Sequence, residues 1–298
     1  MQKLALLVLC CCAVPAQAAL FRYEPFNYPD MGSTLQGKTN PDGETWQRAG
    51  VADPPSEITV ASGNLAVPAE LQTAVGNSLE IDGVGNGASS SNRLAIGQTI
   101  SAAGSTVYYS FALRIDELTG STNTTGGFFV ALNNSTGSQA TNPTAAAAKI
   151  QGRIDPTDGT KYNLGIFRNL NATAAATSWS GPLTVGDTLF VVASYEIVTG
   201  ATNDIARLWI NPNPSTFGDA LFSPGTTPPT IADTSTGTGT DIGIASILLR
   251  QSPAPHLSLD ELRVGDTWAD VTPLVPEPGS LALLAIGWAA VWRWRRVR

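Results

Sequence analysis

Few residues of this chain have the types and spacing for chemistry. The stretch "LEIDGVG" sets Glu80 and Asp82 at alternate positions, which places both carboxylates on one face if the segment is a strand. Two carboxyls about 5 to 5.5 Å apart can serve as nucleophile and acid in retaining glycoside hydrolysis. The next position on that face is Val84, so the series stops at two acids, and an exposed acidic pair before a Gly turn is the plainer reading. His256 is the one histidine; it follows Pro253 and Pro255, precedes a strand pattern, and reads as a loop residue rather than a base. A Ser-His-Asp triad would have to use it, and no Gly-x-Ser-x-Gly turn stands in support. No metal site or cofactor is expected; a structural calcium ion around Asp155 and Asp158 is the one left open, though nothing matches a twelve-residue EF-hand loop. Trp46, Trp179, Trp209 and Trp268 are candidates for stacking on sugar rings. Trp209 lies within an apolar strand and reads as core, whereas Trp179, in the polar "ATSWSGP", is the one expected to be exposed and to contact carbohydrate.

The elements that must position these residues are strands. In "TVYYSFALRI" the residues Val107, Tyr109, Phe111, Leu113 and Ile115 share one face, with Ser110 and Arg114 on the other, as a strand facing a core on one side requires. "AKIQGRID" and "KYNLGIFR" flank "PTDGT", whose Asp158-Gly159 is hairpin chemistry. "TLFVVASYEIV" and "DIARLWINP" flank Thr199 to Asn203 in the same way. "HLSLDELRV" changes parity in its middle, and a β-bulge near Asp260 and Glu261 would restore it. The polar stretches 120–127, 134–144 and 223–241 read as loops. About a dozen short strands and no long helix predict one antiparallel sandwich over residues 19–273.

Charge narrows the partners. Of 17 basic and 24 acidic residues, Lys3, four C-terminal arginines and Glu277 lie in the end segments, leaving 12 and 23 in the body, or about −11. That surface repels nucleic acid and anionic lipid, whose binding needs Lys and Arg on phosphates. The three cysteines, Cys10, Cys11 and Cys12, fall in the first apolar run, so the body can hold neither a disulfide nor a thiol nucleophile.

Residues 1–18 read as a secretory signal, with Lys3, an apolar run from Leu4 to Val14, and a small-x-small cleavage site at Ala16 and Ala18. At the other end Pro276-Glu277-Pro278 precedes the 14-residue apolar run Gly279 to Trp292 and then Arg293, Arg295, Arg296 and Arg298. As a helix the run spans about 21 Å against a hydrocarbon core of about 30 Å; interfacial tryptophans and snorkelling arginines extend it. The arginines hold that end in the cytoplasm, with the body outside.

This tail, residues 274–298, resembles the PEP-CTERM sorting signal, a motif also labelled an ice-binding-protein C-terminal domain. The resemblance implies sorting by a membrane-embedded exosortase, a cysteine protease or transpeptidase acting near Pro276 to Pro278, in bacteria that make exopolysaccharide. Prolines keep the tripeptide extended, a form that a protease groove can hold. The body is similar to concanavalin A-like, LamG-type jelly rolls at "FRYEPFNYPDMGSTLQG" with Trp46, at "NDIARLWINP" and at "LSLDELRVGDTWADVTP". That resemblance implies first and last strands lying close together. Laminarinase-type glycosidases of this fold carry Glu-x-Asp-x-Glu on a strand; Glu80 and Asp82 match its first two acids, and Val84 stands at the acid-base position.

The expectation is therefore an all-β, exported surface or matrix protein, non-enzymatic, with carbohydrate as candidate ligand. Its expected partners are exosortase, the inner membrane through a short C-terminal transmembrane helix, and exopolysaccharide. The alternative is a degenerate or unrecognised glycan-active enzyme on the same fold.

Overall fold

The computed structural model describes residues 20–275 apart from 53–56, 84–89, 120, 122–125, 169–177, 235–241 and 252–253. Ala16, Ala18, Val84, the Pro276 to Pro278 tripeptide, the apolar run and the terminal arginines thus lie outside the described residues. The strands in chain order begin with β1 (Leu20–Glu24), β2 (Gln47–Arg48), β3 (Thr59–Ala61), β4 (Ser78–Ile81), β5 (Ser91–Ile100) and β6 (Thr106–Glu117). There follow β7 (Gly127–Asn133), β8 (Ala147–Ile154), β9 (Lys161–Phe167), β10 (Ser178–Trp179) and β11 (Leu183–Thr184). The last are β12 (Thr188–Glu196), β13 (Ile205–Ile210), β14 (Ile231–Asp233), β15 (Ile244–Arg250) and β16 (His256–Gly265), then a one-turn helix, α1 (Trp268–Val271).

They form two antiparallel sheets. The first runs β14-β13-β12-β6-β16-β4-β3, with β1 also on β16; the second runs β10-β9-β8-β7-β15-β5-β2, with β11 also on β9. The late strands β15 and β16 insert between earlier ones, β15 between β5 and β7 and β16 between β4 and β6. This interleaving across two sheets is the jelly-roll arrangement of a sandwich. First and last strands pair directly, Tyr23 opposite Arg263 and Glu24 opposite Leu262.

The alternating apolar residues meet between the sheets. Val107, Tyr109, Phe111, Leu113 and Ile115 from β6 pack with Leu257, Leu259 and Val264 from β16 and with Leu94, Val130, Ile150, Leu164 and Ile247 of the facing sheet. Both hairpins read from the sequence form, β8 with β9 and β12 with β13. The parity break is a bulge: Asp260 lies opposite Ala112, Arg263 opposite Ser110, and Glu261 takes a φ of 54°.

Two expectations need correction. Strand β6 is buried on both faces from Val107 to Leu113, because Tyr108 joins a second, outer core with Phe190, Val192, Trp209, Phe217, Trp268 and Val271. α1 and the segment around Phe217 fold over the outer side of the first sheet and close that core. The stretch 223–241, read as loop, contains β14, which extends the same sheet through Leu208 and Ala206.

Candidate functional site

The outer core covers only half of the first sheet's outer face. On the other half five side-chain positions stand in register across neighbouring strands: Thr59, Glu80, Ser258, Arg114 and Thr188. Period-two alternation puts them outward, because Leu257, Leu259, Leu113 and Ile115 point into the sandwich. His256 Nε2 lies 2.8 Å from Glu80 Oε1, Ser258 Oγ donates to Asp116 Oδ2 at 2.6 Å, and the Arg114 guanidinium bonds Asp116 and, at 3.3 Å, Ser258. Glu80 and Arg114 are the open members, with side chains 44% and 40% exposed. The row thus presents a carboxylate oriented by an imidazole, and beside them a guanidinium oriented by Asp116 and Ser258.

His256 opens β16 and pairs with Glu80, so it is a strand residue and the loop reading fails. The row does not assemble a triad, since Ser258 gives its proton to Asp116 rather than to His256. Asp82 faces elsewhere and accepts from Gln251 Nε2. Glu80 and Asp82, a pair by spacing, are therefore engaged by different partners, because β4 ends at Ile81.

Of the tryptophans, Trp46, Trp209 and Trp268 are fully buried. Trp179 is half-buried, and the Arg153 guanidinium lies 4.2 Å from its ring centroid, so one face of the ring is covered. Around the β8 to β9 turn, Asp155 accepts from Thr157 N, Thr157 Oγ1 and Asp158 N on Oδ1 and from Asn163 on Oδ2. Asp158 accepts from Thr160 N and Oγ1. These bonds hold the Asp155 carboxyl down to about 2. Among the described residues no group of three His, Cys, Asp or Glu side chains is placed to hold a metal.

Three of the carboxylates whose burial the sequence reading did not anticipate lie near the N-terminal segment and the 62–76 loop. Glu24 accepts from Phe26 N, Tyr28 Oη and Trp46 Nε1. Glu261 accepts from Val75 N and Tyr23 Oη, and Asp260 from Leu65 N and its neighbour's N–H. Burial pushes all three carboxyls up, Asp260 to about 8, since a low-dielectric site penalises the charged form. Their backbone and side-chain donors make them anchors for the 62–76 loop and the N-terminal segment. The one available signal was the Asp260-Glu261 pair at the parity break.

The chain leaves the body beside that loop. Leu274 bridges Leu71, Gln72 N donates to Pro273 O at 3.0 Å, and Val275 N donates to Glu70 O at 3.0 Å. The first residue of the sorting tripeptide comes next. Among the described residues no helix is long and apolar enough to cross a membrane.

Residues 274–297 match the model of the PEP-CTERM protein-sorting motif. Among solved structures the chain is similar to the Emp47p carbohydrate recognition domain, with 9% identity over 79% of this chain and 94% of that one and a TM-score of 0.38. It is also similar to a carbohydrate esterase of Shiga toxin-encoding bacteriophage phi24B, with 13% identity, coverage of 79% and 99%, and a TM-score of 0.39. Peanut lectin is a third, with 10% identity, coverage of 74% and 96%, and a TM-score of 0.35. No curated protein matches the chain.

Proposed function

We propose that the chain is an exported envelope or extracellular-matrix protein whose tail holds the intermediate in the inner membrane, body outward, until exosortase acts at Pro276 to Pro278. The body is non-enzymatic and binds hydroxyl-rich glycan, such as exopolysaccharide, along the Glu80, His256, Arg114 row. The observation that carries the sorting reading is the matched motif at 274–297. The row supports the glycan reading by its chemistry: the open Glu80 carboxylate and Arg114 guanidinium, with the His256 imidazole beside Glu80, supply acceptors and donors at strand spacing, as sugar hydroxyls need. The unassembled Ser258 and His256 pair supports the non-enzymatic reading.

The test is expression with and without exosortase, followed by the intact mass and compartment of the product. Loss of the segment beyond the tripeptide only in the exosortase host is the expected result. An intact tail in both hosts would leave a simple anchor and remove the sorting role.

A further inference from the structure

Three exposed apolar side chains gather near the C-terminal exit, with exposed Glu70 and Asp219 beside them. Leu221 is 90% exposed, Leu274 46% and Val275 44%. Leu274 and Val275 are consecutive, and the Leu274 side chain lies over Gly218, where an added Cβ would be 2.9 Å from it; Leu221 stands three residues further along that segment. Next to Leu221, Phe222 stacks on Trp268 with centroids 3.8 Å apart, so the turn that carries Leu221 is fixed from below. Asp219 Oδ1 accepts from Leu221 N at 2.8 Å and fixes it from the side. Leu71, which bridges Leu274, also lines an open groove of about 540 Å³ together with Leu65, Val67 and Pro68. An apolar step held from below by the Phe222–Trp268 stack therefore adjoins the point after which residues 276–298 follow.

Where the apolar surface leads identifies its occupant. The run Gly279 to Trp292 begins four residues beyond Val275, and at no more than about 3.6 Å per residue that link spans roughly 14 Å. A membrane holding the run must then lie within about that distance of the step. The acidic body opposes an anionic surface, which leaves zwitterionic lipid as the compatible one.

We propose that Leu221, Leu274, Val275 and the adjoining groove form a foot that rests on a zwitterionic lipid surface while the tail is inserted. The inference rests on the anchor reading above. It gives the body a fixed tilt, with the exit at the bilayer and the rest of the sandwich directed away from it.

The body has no cysteine, so one label site can be introduced cleanly once Cys10, Cys11 and Cys12 are changed to serine. The full chain carrying Leu221→Cys, and separately Gly159→Cys in the exposed β8 to β9 turn, is labelled with an environment-sensitive fluorophore and reconstituted in phosphatidylcholine vesicles. Flotation reports tail insertion, and quenching by spin-labelled lipid reports contact. The expected result is flotation of both proteins with quenching several-fold stronger at 221 than at 159, reduced by Leu274→Asp. Flotation with equal quenching overturns the foot and leaves the anchor standing. Failure to float overturns the anchor reading and the foot with it. A fluorescence shift that appears without vesicles and grows with protein concentration places a second copy on the step, and also overturns the proposal.

Discussion

Leu274 pairs with Leu71 in an antiparallel bridge two residues before Pro276, so the sorting tripeptide follows directly on the last backbone hydrogen bond among the described residues. A protease groove needs extended, unpaired backbone, and the bond from Val275 N to Glu70 O competes for the residue next to it. Val275→Pro removes that N–H and keeps the segment extended. The expected outcome is several-fold faster tail removal in an exosortase host, followed by intact mass over time. The loss in body stability should be about 0.5–1.5 kcal/mol, the usual net worth of one such bond. An unchanged rate would mean that the enzyme does not feel the bridge.

The polar row predicts a separation of binding from stability. Glu80 and Arg114 are the half-exposed members, and exposed ion pairs contribute about 0–1 kcal/mol to folding. Glu80→Gln and Arg114→Ala should therefore leave the unfolding midpoint nearly unchanged. Each should weaken glycan binding by roughly tenfold, the equivalent of about 1.4 kcal/mol. Calorimetry against a neutral exopolysaccharide reads the effect. Wild-type affinity in both variants would move the glycan off this face.

Stability should pass through a maximum on the acid side. Burial raises the carboxyls of Glu24, Glu261 and Asp260, the last to about 8. Across the window from their ordinary values up to about 8 the folded chain binds more protons than the unfolded one, so stability falls as pH rises. Burial, with the Arg250 charge, pushes Lys149 down to about 7, and between there and 10.5 the sign reverses, so stability rises with pH. Below about 4 the hydrogen-bonded Asp155, held down to about 2, and Asp158 lose their contribution as they protonate. Urea midpoints should thus peak near pH 4 to 5 and dip near 7 to 8. Asp260→Asn should flatten the fall above pH 4, and at acid pH it should cost about 1–3 kcal/mol, because its amide NH₂ must face Leu65 N–H or Glu261 N–H. A steady rise from pH 4 to 8 would contradict the assignment.

What the sequence made legible was local. The alternation of β6, the two hairpins and the bulge at Asp260 and Glu261 depend on residues within one strand or one turn, and period-two pattern and turn chemistry report them directly. Partners distant in sequence were hidden. Glu80 looked paired with Asp82, two residues on, whereas its partner is His256, 176 positions away. Tyr108 and Ser110 carry the outward mark of alternation, and nothing near them announces that α1 covers them; Ser110 Oγ donates to Val271 O across 161 positions. Glu24 shows the same limit, an acid within a strand whose donors include Trp46.

The outer core yields the sharpest stability test, because Trp268 joins its parts. Trp268 is 1% exposed, stacks on Phe222, meets Trp209 edge-on with centroids 5.2 Å apart, and donates its Nε1–H to Thr216 O at 2.8 Å. Trp268→Ala removes the ring that joins α1 to the segment 214–222 and to the sheet, and should cost about 3–5 kcal/mol. Trp179→Ala, by contrast, gives up a half-buried ring and one cation–π contact with Arg153, worth about 0.5–1 kcal/mol. The inner core between the sheets does not contain Trp268, so the loss should concentrate on the exit side. Limited proteolysis of Trp268→Ala should cut first within 64–74 or 217–227 while β5 to β9 stay protected. Uniform cutting across both sheets would show that the outer core is not a separable layer and that the exit shares the stability of the whole sandwich.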